Sequence, residues 1–316
     1  FCLWIIQQMR ITYLHQYFNT PSMAGGTRSY EMARRLVEKG HEVDMITSWR
    51  QDDGRRGWFV TEEAGIRVHW LPVPYSNTMT YKERVHAFLR FALGAARRAA
   101  SLRGDLIFAT STPLTIALPA LYATWRRSAP MVFEVRDLWP ELPIAIGALR
   151  NPLVKAGARW LERLAYKSAD RIVALSPGMK EGITNTGIPE ECVTVIPNSA
   201  DLDFFDPQHA DANIFLRQQP GLRRGPLVVY AGTLGRINGV EYLPRIAYAA
   251  KTRSSPLQFV IAGHGQKEDE IRDLAKKIGV YGDNLHMFPA LPKEEMPHLM
   301  KAADVALSLF VDLKPM

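Results

Sequence analysis

Nine consecutive residues, Phe133-Glu134-Val135-Arg136-Asp137-Leu138-Trp139-Pro140-Glu141, set one guanidinium among three carboxylates directly after an apolar run. Such a group can orient hydroxyls or steady a developing positive charge. In an open parallel sheet, ligands bind outside the carboxyl ends of the strands, where a cluster that follows a strand must lie. Arg136 and Asp137 are therefore the leading candidates for chemistry, with Glu141 behind them. The plainer reading is a salt-bridged surface loop with Trp139 tucked into the core.

Glycine turns offer a different chemistry. Gly25-Gly26-Thr27-Arg28 precedes a helical pattern. Glycines at that place let an anion reach bare amides at the positive end of a helix dipole. GxGxxG is absent there and no Gly-Lys-Ser/Thr follows, which excludes the dinucleotide fingerprint and the P-loop. The plainer reading is a glycine turn with Thr27 as a helix cap. Farther on, Tyr230-Ala231-Gly232-Thr233-Leu234-Gly235-Arg236-Ile237-Asn238-Gly239 leaves an apolar strand through a second such turn, and Ala262-Gly263-His264-Gly265 ends the next strand in the same manner. Amides with one guanidinium make a diphosphate cradle. Gly232, Thr233, Arg236, Asn238, Gly263 and Gly265 are its expected lining.

His15 lies near the end of the first apolar run and is the histidine placed to join this chemistry; His41, His69, His86 and the others show no ligand spacing. Asp201-Leu202-Asp203 imitates an Asp-x-Asp metal motif, yet it follows no nucleotide-binding strand. It reads as a linker turn, and no metal is expected.

Short apolar runs alternating with longer amphipathic stretches position these residues, the pattern of βα units and parallel sheets. Strands are predicted at Arg10–His15, Glu42–Thr47, Arg67–Leu71, Leu106–Thr110, Met131–Val135, Arg171–Leu175 and Val193–Ile196. Helices are predicted at Thr27–Lys39, Lys82–Leu102, Pro113–Trp125, Pro152–Lys167 and Pro177–Thr186. Residues 9–200 are expected to form one domain and 201–226, rich in Pro, Gly and polar residues, a linker. A second series follows over 227–316: strands Leu227–Ala231, Gln258–Ala262, Leu285–Phe288 and Val305–Leu309, helices Val240–Lys251, Gln266–Ile278 and Lys293–Ala302. Four strands are few for a doubly wound domain, so this domain is expected to be truncated. Met9-Arg10-Ile11 reads as a natural start, which makes 1–8 an upstream extension.

At 316 residues, 47% hydrophobic and 22% charged, the sequence is that of a globular protein of two domains. Its net charge of +7 suits an anionic partner. Cys2 and Cys192 imply no disulfide framework. No run reaches the roughly 20 apolar residues of a membrane span. The helix at 82–102 carries Val85, Phe88, Leu89 and Ala92 on one face with Lys82, Arg84, Arg90, Arg97 and Arg98 around it. It is expected to touch an anionic membrane peripherally, against the commoner alternative of a helix packed on its sheet. Zinc-finger and RNA-binding signatures are absent, so no nucleic acid partner is expected.

Together, Gly25-Gly26-Thr27-Arg28, the string from Glu134 to Glu141, Ile196-Pro197-Asn198 with Asp201, and Tyr230-Ala231-Gly232 with Gly235-Arg236 resemble the family 4 retaining glycosyltransferases. The likeness is strongest to bacterial enzymes that build O-antigen or capsule, including fucosamine-type aminodeoxysugar transferases, and runs from Met9 to Met316. It implies an α/β GT-B fold: two Rossmann-like lobes with parallel sheets facing across a cleft, the C-terminal lobe incomplete here. It also implies transfer of a sugar, with retention and without a metal or other cofactor, from a UDP- or GDP-linked donor on the second lobe. The acceptor on the first lobe would be polyprenyl-linked or a saccharide, in cell-surface polysaccharide synthesis, on the cytoplasmic side of the membrane. Many members carry an Arg directly after the first glycine of the second lobe and a Lys before a later one. Thr233 and Asn238 stand there instead, with Arg236 expected to substitute. The family's distal acidic motif would follow Met316 and is not within this chain, which is still expected to be a glycosyltransferase. A non-catalytic binding protein of the same fold and a sugar-nucleotide epimerase remain as alternatives.

Overall fold

The computed structural model describes residues 8–23, 25–75, 79–141, 144, 149, 151–219, 221–222 and 225–311. The expected extension at 1–8, except Gln8, and the last five residues lie outside the described residues. The chain divides into two compact units between Asn198 and Ser199.

The first unit is an eight-stranded sheet in the order β3-β4-β2-β1-β5-β6-β7-β8. Its strands are β1 (Arg10–Leu14), β2 (Glu42–Trp49), β3 (Phe59–Glu63), β4 (Ile66–Pro72), β5 (Leu106–Thr110), β6 (Met131–Val135), β7 (Arg171–Ala174) and β8 (Val193–Val195). All pair in parallel except β3, which runs antiparallel to β4. The parallel reading had no place for β3. Ala64 and Gly65, at φ 50 and 78, close a two-residue hairpin between the two strands.

Side chains alternate across a strand, and the unit has a core on each face. Ile11, Tyr13, Val43, Met45, Val68 and Trp70 form one, under α1 (Arg28–Glu38). Leu14, Ile46, Ile107, Met131, Phe133 and Val135 face α2 (Tyr81–Ser101), α3 (Ala117–Arg127) and α4 (Pro152–Ser168). Sequence signals explain several ends. Thr80 and Glu83 form a reciprocal capping box on α2. Asn151 caps α4 ahead of Pro152, and Ser176 caps α5 (Pro177–Thr184). The helix expected from Pro113 begins as a 3-10 turn over Leu114–Ile116.

The second unit holds four parallel strands in the order β11-β10-β9-β12, namely β9 (Leu227–Ala231), β10 (Gln258–Ala262), β11 (Leu285–Phe288) and β12 (Val305–Ala306). The stretch expected as a linker supplies α6 (Ala212–Gln218), whose Phe215 is buried edge-on against Phe288 at 5.9 Å. α6 packs on α9 (Met296–Ala302) over one face. The other face carries α7 (Tyr242–Thr252) and α8 (Glu268–Lys277).

β1 lies between β2 and β5, and β9 between β10 and β12, so the order reverses beside β1 and beside β9. Loops leaving those strands flank a crevice suited to a ligand.

Candidate functional site

Strand alternation sets the chemistry of the first unit. Met131, Phe133 and Val135 point to one core, so Glu134 is turned to the opposite face, where its side chain is 0% exposed. A carboxylate buried there needs partners. Arg28, the first residue of α1, donates from Nε to Glu134 Oε1 at 2.8 Å, and the Thr110 hydroxyl donates to Oε2 at 2.8 Å. The remaining nitrogens of Arg28 donate to the carbonyls of Pro197 and Ile196 at 2.7 Å each. Arg28, expected at a diphosphate or acceptor, is instead spent as a brace. All three of its guanidinium nitrogens are engaged within the unit.

Other expected residues stand around that brace. His15 is 2% exposed, and its Nδ1 lies 2.7 Å from Ser29 Oγ. Burial, with the positive charges of Arg136 and Arg50, pushes the imidazole down to about 3, so it is neutral at neutral pH. The Arg136 amide donates to Ser111 Oγ at 2.9 Å, and its guanidinium nitrogen would lie 4.0 Å from a Cβ added to Gly26. Arg136 has no carboxylate partner among the described residues. Asp137 accepts a 2.9 Å hydrogen bond from Thr112, whose φ of 102 is a region that β-branched residues rarely adopt.

Gly25 sits at φ 125, and a Cβ there would come within 2.7 Å of Asn19 Nδ2, the nitrogen that donates to the Gly26 carbonyl. Both backbone and space therefore demand glycine. Thr27 occupies the N-cap without a side-chain bond to the helix. Glu141 stands apart from this network, in an exposed pair with Arg159 at 3.0 Å. Glu134, Thr110, Ser111, Thr112, Asn19 and Ser29 were not singled out from sequence. The signal for Glu134 was available: a lone carboxylate inside an otherwise apolar strand.

The second unit works with bare backbone. A Cβ on Gly263 would fall 1.9 Å from the Gly232 carbonyl oxygen, and one on Gly265 2.3 Å from that of Leu234. Gly232 donates to the Ala262 carbonyl, Leu234 to that of His264 and Lys267 to that of Leu234, each at 2.9 Å. The loops after β9 and β10 are thus laced together. Gly263 and Gly265 permit that approach and support the first loop from behind. Several amides of these turns are already used: Gly232 and Leu234 in this lacing, Gly263 as donor to the Phe288 carbonyl at 3.1 Å, Asn238 to that of Gly235 at 3.3 Å, and Gly235 to Asn238 Oδ1 at 3.2 Å. Asn238 is therefore turned inward. Thr233 and Arg236 remain exposed, and Arg236 has no ion-pair partner among the described residues.

Residues 24–199 match the family model described as a glycosyl transferase 4-like domain. The chain belongs to the glycosyl transferase 4-like family. Residues 213–309 of this glycosyl transferase 4-like chain match a second model, glycosyl transferases group 1. The alpha-D-kanosaminyltransferase of Streptomyces kanamyceticus is 28% identical over 153 residues, which span 48% of this chain and 39% of that relative. Its fold is that of sucrose-phosphate synthase from Thermosynechococcus elongatus, with a TM-score of 0.71 at 17% identity over 95% of this chain and 75% of that one. Anabaena HepE in complex with UDP-glucose aligns with a TM-score of 0.65 at 17% identity, over 96% and 75% of the two chains. These likenesses identify the two-lobed α/β GT-B fold with parallel sheets.

Arg28→Ala in this glycosyl transferase 4-like chain strips Glu134 of its cation and is expected to lower stability by about 3–5 kcal/mol in urea unfolding. Arg28→Lys recovers only part of that, because an ammonium cannot reach a carboxylate and two carbonyls in one fork. His15 supplies a pH test. Between about 6.5 and its folded value of about 3, the unfolded chain binds a proton that the folded chain does not. Its contribution is therefore complete above that window and is lost as pH falls through it, by at most ~1.4 kcal/mol per unit. The stability difference between the native protein and His15→Gln should shrink from pH 7 to pH 4. A constant difference would show that the ring titrates normally.

Proposed function

We propose that this chain transfers a sugar, with retention of configuration, from a nucleotide-diphosphate donor held by the second unit to a polyprenyl-linked or saccharide acceptor held by the first. The observation that carries this reading is Arg236, an exposed guanidinium without an ion-pair partner among the described residues, on a loop backed by Gly263 and Gly265. As the donor's glycosidic C–O bond breaks, its electron pair leaves on the diphosphate. A fixed, solvent-facing cation stabilises that developing charge without reorganising. On the acceptor side, the Asp137 carboxylate is held by Thr112 and the Arg136 backbone by Ser111, an arrangement suited to orienting a hydroxyl whose proton passes to the departing diphosphate oxygen as the new bond forms. Neutral His15 serves there as a hydrogen-bonding group and not as a charge. The kanosaminyltransferase likeness supports an amino or deoxy sugar, and the HepE likeness supports a UDP-linked donor. A role in cell-surface polysaccharide synthesis and a reaction without a resident metal complete this proposal.

We further propose contact with an anionic membrane at the cytoplasmic side. Of the apolar face expected on α2, Phe88 stacks on Tyr75 and Ala92 is buried, so that face packs inward, and the outward stripe instead runs Lys82, His86, Leu89, Leu93 and Arg97. α3 packs against both α2 and α4. Its own stripe continues the pattern with Tyr122 and Trp125, the latter 73% exposed, and α4 adds Leu153 and Trp160. Arg126, Arg163 and Lys167 border these residues, whereas Glu83 is the one exposed carboxylate on the three helices. Exposed tryptophans ringed by cations favour an anionic interface. No helix among the described residues is long and apolar enough to cross a membrane.

Arg236→Ala is expected to weaken UDP or UDP-sugar binding by about 10- to 100-fold in calorimetric titration, with the thermal melt unchanged. Equal affinity would remove Arg236 from the donor site. In vesicle sedimentation the protein should pellet with phosphatidylcholine vesicles that contain phosphatidylglycerol and stay free without it. Trp125→Ala with Trp160→Ala should abolish pelleting. Binding that is indifferent to lipid charge would rule out this contact.

A further inference from the structure

The first unit holds a cavity of about 370 Å³ that none of the site residues expected from the sequence lines. It opens where the loops after β1, β2 and β4 converge, among Met23, Trp49, Arg50, Trp70 and Tyr75. The volume falls in the usual range for small-molecule sites, roughly 300–1,000 Å³. Phe18, Trp49, Trp70 and Tyr75 make an aromatic part of the wall, and Ser22, Ser48 and Gln51 a polar part.

Arg50 is the cation of this wall. Its side chain is partly buried, and its guanidinium donates to the Asn19 side-chain oxygen and lies 5.9 Å from the centre of the Tyr17 ring. Those partners are neutral. No carboxylate pairs with Arg50 among the described residues, although Asp53 stands three residues on; Asp53 is taken by Arg55 and by the Trp49 indole. Desolvation lowers the pKa of Arg50, with Tyr17 and Tyr75 offering slight compensation. Burying a guanidinium without a counter-charge is unfavourable, and one facing a cavity can recover that loss from a ligand. Arginine suits such a role because its planar fork matches carboxylate and phosphate oxygens. The same charge acts on His15, so the cavity adjoins the end of β1.

We infer that this cavity binds an anionic group of the acceptor, a carboxylate or a phosphate, paired with Arg50 while the attached ring or chain rests on the aromatic wall. The acceptor therefore carries a negative charge next to the part that is glycosylated. Two sources share this chemistry: an acidic sugar presents a carboxylate, and a lipid- or sugar-linked phosphate presents a phosphoryl group. The inference rests on the glycosyl-transfer reading for the word acceptor, but the cavity and its cation do not depend on it.

The test is tryptophan fluorescence titration of the full-length protein with phenyl phosphate, benzoate and, as an uncharged control, phenyl β-glucoside, each repeated with UDP by calorimetry. Saturable binding of one or both anions is expected, with phenyl phosphate stronger for a phosphate source and benzoate stronger for an acidic sugar. Phenyl β-glucoside should not saturate. Arg50→Gln should weaken anion binding at least tenfold while UDP affinity stays the same. Arg50→Lys, which keeps the charge, should hold an intermediate affinity and provides the comparison if the glutamine variant folds poorly. Anion binding that survives Arg50→Gln, or a neutral glucoside bound as well as the anions, would overturn the inference. UDP bound with neither anion bound would discard the cavity's role and leave the glycosyl-transfer reading standing. Anions bound through Arg50 with no nucleotide bound would do the reverse.

Discussion

Glu134 is a carboxylate sealed within a parallel sheet, and the first unit is arranged around satisfying it. Strand alternation, which puts three apolar residues of β6 into one core, leaves no choice about where the residue between them points. Once it points there, α1 must begin with a cation, β5 must end with a hydroxyl, and the glycines before Arg28 must let the chain turn sharply enough to deliver it. Arg28 and Thr110 meet those needs. A buried ion pair is a poor source of net stability. What this one supplies is position, since the loops that carry His15, Ser111, Arg136 and Asp137 all leave from the same three strands.

The second unit reaches a fixed loop by the opposite means. No ion pair among the described residues braces it from behind; two glycines allow one loop's backbone to lie directly on the other's, and amide-to-carbonyl bonds do the rest. The contrast bears on charge. A brace made of backbone consumes no cation, so the arginine of that loop stays available, whereas the first unit spends Arg28 and keeps Arg136 and Arg50 for solvent or ligand.

Much of this was legible in the sequence. Strands such as Leu106–Thr110, Met131–Val135 and Gln258–Ala262 have the boundaries that their apolar runs predict, because buried parallel strands are continuous hydrophobic stretches. β3 escaped because its alternating, half-exposed residues make a weaker pattern, although Ala64-Gly65 marked the hairpin. At the sites, residue types were readable and their commitments were not. An arginine beside two glycines looks the same whether it faces a phosphate or a carboxylate 106 positions away. Likewise Gly263 and Gly265 could be seen as turn glycines, but only three-dimensional packing shows that what they approach is another loop. Arg50 had no local signal, since a desolvated cation is defined by what fails to gather around it.

The bonds from Arg28 to the carbonyls of Ile196 and Pro197 have a consequence for how the protein is made. They join the first helix to the last residues before the boundary at Asn198. During synthesis the amino-terminal helix is finished early, yet one side of its leading arginine stays unsatisfied until residue 197 has left the ribosome. β8, at the sheet's far edge, arrives at nearly the same moment. The brace and the sheet edge of the first unit therefore cannot be completed before residues 193–197 are available. Completion of one folding unit and the beginning of the next are tied to the same few peptide bonds.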